Sequence, residues 1–180
     1  MVFIGHRSTG HKHERQPRLA VRVLIRRPEV EGVHHEEWDV ISPLLELVLC
    51  ELLPMLQEKP TIIDHDESPS FGDAYVTLRT DGLRIRIIRD KLQIQASFGP
   101  TIHPESLFDH EVVGQYLGLG TGLGFDASDE ATSMRAVGNF INTFSSNLTS
   151  MFASRNYSRT MQELEALQEA RANRLFFRIG

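Results

Sequence analysis

Cysteine is nearly missing from this 180-residue chain. With Cys50 alone, no internal disulfide and no cysteine-built zinc cage can form. Long apolar runs are missing too, since none approaches the ~18 residues of a membrane span. The uncharged stretch Ala136–Ser154 comes nearest, but Asn139, Asn142, Ser145, Ser146 and Asn147 would be costly in lipid. Met1 to Ile4 is too short for a secretory core, with Gly5, His6 and Arg7 following at once. The expectation is a soluble, cytoplasmic protein, in which the triplets Asn147-Leu148-Thr149 and Asn156-Tyr157-Ser158 fit the glycosylation pattern only by chance.

Catalytic motifs are equally scarce. There is no Gly-x-Ser-x-Gly elbow, and His110-Glu111 is followed by Gly114 where a zinc-protease helix needs a second histidine. Glycines at 118, 120, 122 and 124 miss the dinucleotide spacing and follow an expected helix rather than a strand, so they read as a connector. Neither internal repeats nor low-complexity tracts occur.

What is present is an ordinary globular composition, 41% hydrophobic and 24% charged, enough for one domain with a core of its own. The net charge of -5 is unevenly spread. Residues 1–30 carry seven bases against two acids, and the remaining 150 carry 12 bases against 22 acids. An acidic body repels phosphates at close range, which disfavours nucleic acid as the main partner.

Hydrophobic periodicity orders the chain. Residues 1–17 show none and read as a mobile tail ahead of a single domain over 18–180. Leu19, Val21, Val23 and Ile25 alternate as in a half-buried strand. Ser42-Pro43 has the form of a helix start, with Ile41, Leu45, Val48, Leu52 and Met55 as one stripe and Pro54 kinking or ending it. Cys50, inside that helix, is expected as a small buried hydrophobe. A short strand is possible at Thr61–Ile63.

Residues 74–97 predict a three-stranded antiparallel meander. If Asp81-Gly82 is a two-residue turn, paired numbers add to 163 and Leu78 faces Ile85 while Val76 faces Ile87. The same register sets Arg79 against Arg84 and Thr77 against Arg86 on the opposite face. Leu92, Ile94 and Ala96 join the aliphatic side, Gln93 and Gln95 the arginines, and a one-residue slip would invert every side chain. A helical period follows from Pro104, closed by Gly118. A long helix starts near Ser128 or Asp129 with Met134, Val137, Ile141, Phe144, Leu148 and Met151 as its seam, and a polar amphipathic helix spans Thr160–Asn173. Residues 175–179 fit either helix or strand. The fold class expected is α+β, helices packed on one face of the meander, with a possible extra N-terminal strand.

Two surfaces and several clusters carry chemistry. Like charges opposed on a sheet are destabilising, so the row of Arg79, Arg84 and Arg86 asks for acidic relief, from within or from an anionic partner. The internal candidates are Asp64, Asp66, Glu67 and Asp73, or Glu163, Glu165 and Glu169. The long helix carries Asn139, Asn142, Thr143, Ser146 and Asn147 where solvated helices usually carry Lys and Glu, a neutral face that is cheap to desolvate. Arg79, Arg84, Arg86, Asn142 and Ser146 are therefore the expected partner-binding residues. Histidine–acid groups occur at His11/His13/Glu14, His34/His35/Glu36/Glu37, Asp64/His65/Asp66/Glu67 and His103/Asp109/His110/Glu111. A metal site, if one forms, would draw on Asp64, His65, Asp66 and His110.

In size, acidity and element order the chain is similar to secretion chaperones and toxin-neutralising immunity proteins, a likeness that rests on no shared motif. It implies a non-enzymatic module that masks one protein partner, or self-associates, without a cofactor. The alternative is a metal-dependent hydrolase or metal-binding protein built on the histidine–acid groups.

Overall fold

The computed structural model describes residues 42–67, 73–91, 93–120, 124–125 and 129–176, with side chains as far as Arg174. The expected tail, the strand at Leu19–Ile25, Ile41, Leu92 and residues 177–180 lie outside them. Among the described residues the protein is α+β, with five antiparallel strands and four helices. No described helix is long and apolar enough to cross a membrane.

Helix α1 (Pro43–Leu47) begins as its sequence requires. Ser42 accepts a hydrogen bond from the Leu45 N–H at 3.2 Å, and Pro43 occupies the first turn, where a missing N–H is no loss. Over Val48–Leu52 the helix widens, and the Leu53 N–H donates to the Val48 carbonyl five residues back at 2.9 Å. Pro54 explains the change: it offers no N–H, and its ring would strike the carbonyl one turn earlier. Leu44, Val48 and Leu52 form the fully buried stripe. Cys50 falls off that stripe and is exposed, which corrects the expectation of a buried thiol.

The sheet runs in the order β1 (Thr61–Glu67), β2 (Ala74–Arg79), β3 (Leu83–Asp90), β4 (Gln93–Pro100), β5 (Phe108–Asp109). Among the described residues it therefore has five strands, where the meander of three and a possible strand at Thr61–Ile63 were expected. Leu78 lies opposite Ile85, Val76 opposite Ile87, and Arg79 opposite Arg84. Thr80 closes the first turn, its N–H donating to the Leu83 carbonyl at 2.9 Å and its Oγ1 accepting from the Leu83 N–H at 3.3 Å. Lys91 closes the second turn with a left-handed φ of 58°.

A bulge at Ile63 sets the parity of β1. Ile62 faces Leu78 on the aliphatic side, yet Asp64 faces Thr77 on the polar side, with the extra residue left 39% exposed between them. Asp64 and Asp66 thereby join the arginines, and Glu67 joins the aliphatic side.

That aliphatic side (Val76, Leu78, Ile85, Ile87, Ile94, Ala96, Phe98) shares one core with Leu44, Val48 and Leu52 of α1 and its extension. The same core takes in Met134, Val137, Ile141 and Leu148 of α3 (Glu130–Phe152). Phe98 and Phe140 meet at 5.5 Å between ring centroids. Asp109 caps α2 (His110–Tyr116), its Oδ1 accepting from the Glu111 and Val112 N–H groups at 2.9 and 3.0 Å. The helix expected from Pro104 thus starts six residues later, because Phe108 and Asp109 pair with β4 first. Gly118 ends it at φ 80°, and the Leu119 N–H reaches back to the Gly114 carbonyl. Asp129 caps α3 through the Thr132 N–H at 2.7 Å. Helix α4 (Tyr157–Phe176) presents Thr160, Met161 and Leu164 inward, and the Tyr116 and Thr160 hydroxyls lie 3.4 Å apart.

Gly99 marks where the chain after β4 crosses its own strand, since a Cβ there would collide with the Ser106 carbonyl oxygen. Gly99→Ala should lower the unfolding free energy by ~1–3 kcal/mol, the usual range for overpacking. Urea titration measures this, and an unchanged midpoint at constant slope would contradict the crossing.

Candidate functional site

Directly opposed residues cross the polar face of the sheet in rows. The first row is Thr61, Arg79, Arg84 and Gly99; the second is Asp64, Thr77, Arg86, Ser97 and Asp109; the third is Asp66, Tyr75, Ile88 and Gln95. Arginines thus crowd one end and aspartates line the β1 edge.

The three arginines differ in how they are held. Arg86 donates from Nε to the fully buried Thr77 Oγ1 at 3.2 Å, and its guanidinium lies 4.8 Å from the Tyr75 ring centroid. Arg84 is half-buried, with an Nε that is buried and has no hydrogen-bond partner among the described residues. Arg79 is exposed. Among the described residues no ion pair involves any of the three. Gly99, next in the row beside Arg84, brings no side chain to it.

The internal acids answer elsewhere. Glu67 binds Arg89, Oε1 to Nη2 at 2.5 Å, on the aliphatic side of the sheet, and Glu163 pairs within its own helix with Arg159 at 3.6 Å. Glu165 and Glu169 are exposed. The Glu67–Arg89 pair was missed in the sequence, although Arg89 shares the parity of Ile85 and Ile87 and a charge at that parity calls for a partner.

Tyr75 sits between the aspartates and Arg86. Its hydroxyl is pushed above the ordinary value of 10.0, first by desolvation, then by a hydrogen bond to Asp64 and the charges of Asp64 and Asp66, with Arg86 opposing.

A second feature lies at the other edge. Strand β5 is two residues long, because Asp109 leaves the sheet to cap α2, while β4 continues past it through Gln93–Ala96. The notch is a cleft of about 240 Å³ between β4, the start of α2, Phe125 and Arg171. Arg171 of α4 grips both carboxylates there, Nη1 on Asp109 Oδ2 and Nη2 on Glu111 Oε2 at 2.6 Å. His110 is 7% exposed and stacks on Phe125 at 4.3 Å between centroids. Among the described residues neither of its ring nitrogens has a hydrogen-bond partner, a state that costs roughly 1–3 kcal/mol per buried group.

The expected metal ligands are not brought together. Asp64 and Asp66 face one side of β1 and His65 the other, and His110 adjoins the opposite edge, four strand spacings or ~19 Å away. Among the described residues no group of three or more His, Cys, Asp or Glu has metal-holding geometry. The groups at His11/His13 and His34/His35 lie outside the described residues.

The two expected docking surfaces are also separated. Helix α3 packs against the aliphatic side, so the arginines and the neutral helix face look away from each other. Asn142 uses both ends of its amide inside the molecule, Nδ2 donating to the Met55 carbonyl at 2.9 Å and Oδ1 accepting from the Gln57 N–H at 3.2 Å. Ser146 remains exposed on α3.

Asp64→Asn should bring the Tyr75 hydroxyl back toward 10.0, as read by phenolate absorbance during alkaline titration. Folding raises this group, so its contribution to stability is complete below pH 10.0 and is lost as pH rises through the raised value. A Tyr75 titration indifferent to Asp64→Asn would contradict the influence of Asp64 on this hydroxyl. No protein-family model, curated protein or solved structure matches this chain, which leaves its function to be argued from its own residues.

Proposed function

We propose that the chain is a non-enzymatic protein-binding module that masks one partner protein, docking an acidic segment of it on the arginine end of the sheet. The observation that carries this reading is the Arg79–Arg84 pair. Two guanidinium groups face each other across β2 and β3 with no acid beside them among the described residues, and Arg86 follows in the next row. Opposed like charges cost some tenths of a kcal/mol up to ~1 kcal/mol. A carboxylate-bearing partner turns that cost into charge-assisted hydrogen bonds, and arginine's planar fork suits carboxylates. Half-buried Arg84, with an unpartnered Nε, is the natural centre of such a contact, since desolvated arginines dominate binding energy. Chaperones and immunity proteins work by this kind of masking, which needs no chemical step.

Arg79→Glu separates binding from folding by sign. Opposite Arg84 a glutamate replaces repulsion with attraction, so stability should rise by a few tenths of a kcal/mol in urea titration. Retention of a stoichiometric protein partner from native extract should fall at least roughly tenfold, as expected for a reversed charge inside an interface. A partner retained equally by wild type and Arg79→Glu would place the interface elsewhere.

A further inference from the structure

We infer that the cleft at the open edge of β4 binds a neutral, polyhydroxylated small molecule of about monosaccharide size. This inference is independent of the arginine face. His110 lines the cleft, is more than nine-tenths buried, and has two ring nitrogens without a partner. A neutral imidazole has one N–H to donate and one lone pair to fill, so it asks for an acceptor and a donor together. The amides of Gln93 and Gln95, which also line the cleft, each ask for the same combination.

Charge narrows the class. Asp109, Glu111 and Arg171 sum to one negative charge, and Arg171 is already engaged by both carboxylates. A phosphate or carboxylate ligand is therefore repelled. An ammonium group offers donors only and leaves the imidazole N–H unmet. A hydroxyl donates and accepts at a single atom and meets every neutral group in the wall.

Size and shape narrow it further. The volume of about 240 Å³ lies below the ~300–1,000 Å³ of drug-sized pockets. A cleft of that volume takes a small molecule of about one ring. Ile94 and Phe125 form the buried apolar floor of the cleft. Phe125 is already stacked on His110, so it is not free to stack on a planar nucleobase on that face. The His110 nitrogens have almost no accessible surface as the ring now stands, so a turn about its Cβ–Cγ bond accompanies binding.

Titration of the full-length protein with a panel of neutral hexoses, pentoses and inositol, read by ligand-observed NMR and calorimetry, tests the inference. At least one of them should bind at one equivalent and shift the His110 ring nitrogen resonances. His110→Phe keeps a ring against Phe125 but removes both nitrogens, and should weaken that binding by at least roughly tenfold. Gln95→Ala, at a half-buried surface position, should weaken it with the fold intact even if His110→Phe does not fold. Three results would each overturn the inference: no polyol bound at millimolar concentration, binding that ignores both substitutions, or preference for inorganic phosphate, acetate or methylammonium.

Discussion

The antiparallel register of β2 on β3 is the constraint on which the rest of the structure depends. Because side chains alternate with a period of two, one pairing decides at once that Val76, Leu78, Ile85 and Ile87 are buried and that Arg79, Arg84 and Arg86 share the other face. Each fully buried aliphatic contributes roughly 1.5–3 kcal/mol, so the core outweighs by several-fold the cost of opposing two arginines. The crowded guanidinium groups are thus imposed by a register that the core fixes. No slip of one residue could relieve them without exposing the aliphatic row.

The two edges of the sheet then define what can be built. At the first edge the Ile63 bulge reverses the parity of the acidic strand, sending Asp64 and Asp66 to the arginine face and Glu67 to the Arg89 side. At the second edge the carboxylate of Asp109 does two jobs, capping α2 and anchoring Arg171 of α4. The early exit of the chain at that cap leaves the outer edge of β4 unpaired over Gln93–Ala96 among the described residues, while β3 pairs its inner edge, and the cleft follows from it. The positive face and the polar cleft therefore arise from one sheet by separate causes.

Much of this was legible in the sequence, and the limits have physical reasons. The hairpin arithmetic gives the pairing of Leu78 with Ile85 and of Arg79 with Arg84 because alternation over six or more residues admits one parity. Ser42, Asp129 and Gly118 mark helix ends through local hydrogen bonds that need no tertiary context. A single-residue bulge leaves no such trace, since Thr61–Glu67 contains apolar and charged residues that fit either parity. The two-residue β5 is too short to show a period, so Phe108 and Asp109 read as helix. The Asp109–Arg171 contact joins residues 62 positions apart, and the notch beside His110 exists only once the sheet and α4 are in place. Residue types alone grouped His110 with Asp64 and Asp66, which the strand order puts at opposite edges.

On the proposed function, the arginine end of the sheet docks acidic chain. An NMR titration of the full-length protein with a glutamate-rich peptide, following the arginine Nε–Hε signals, addresses it most directly. Saturable shifts at Arg79, Arg84 and Arg86, suppressed by salt, are the predicted result. Shifts confined to the bases among residues 1–30, with those three arginines unmoved, would contradict it.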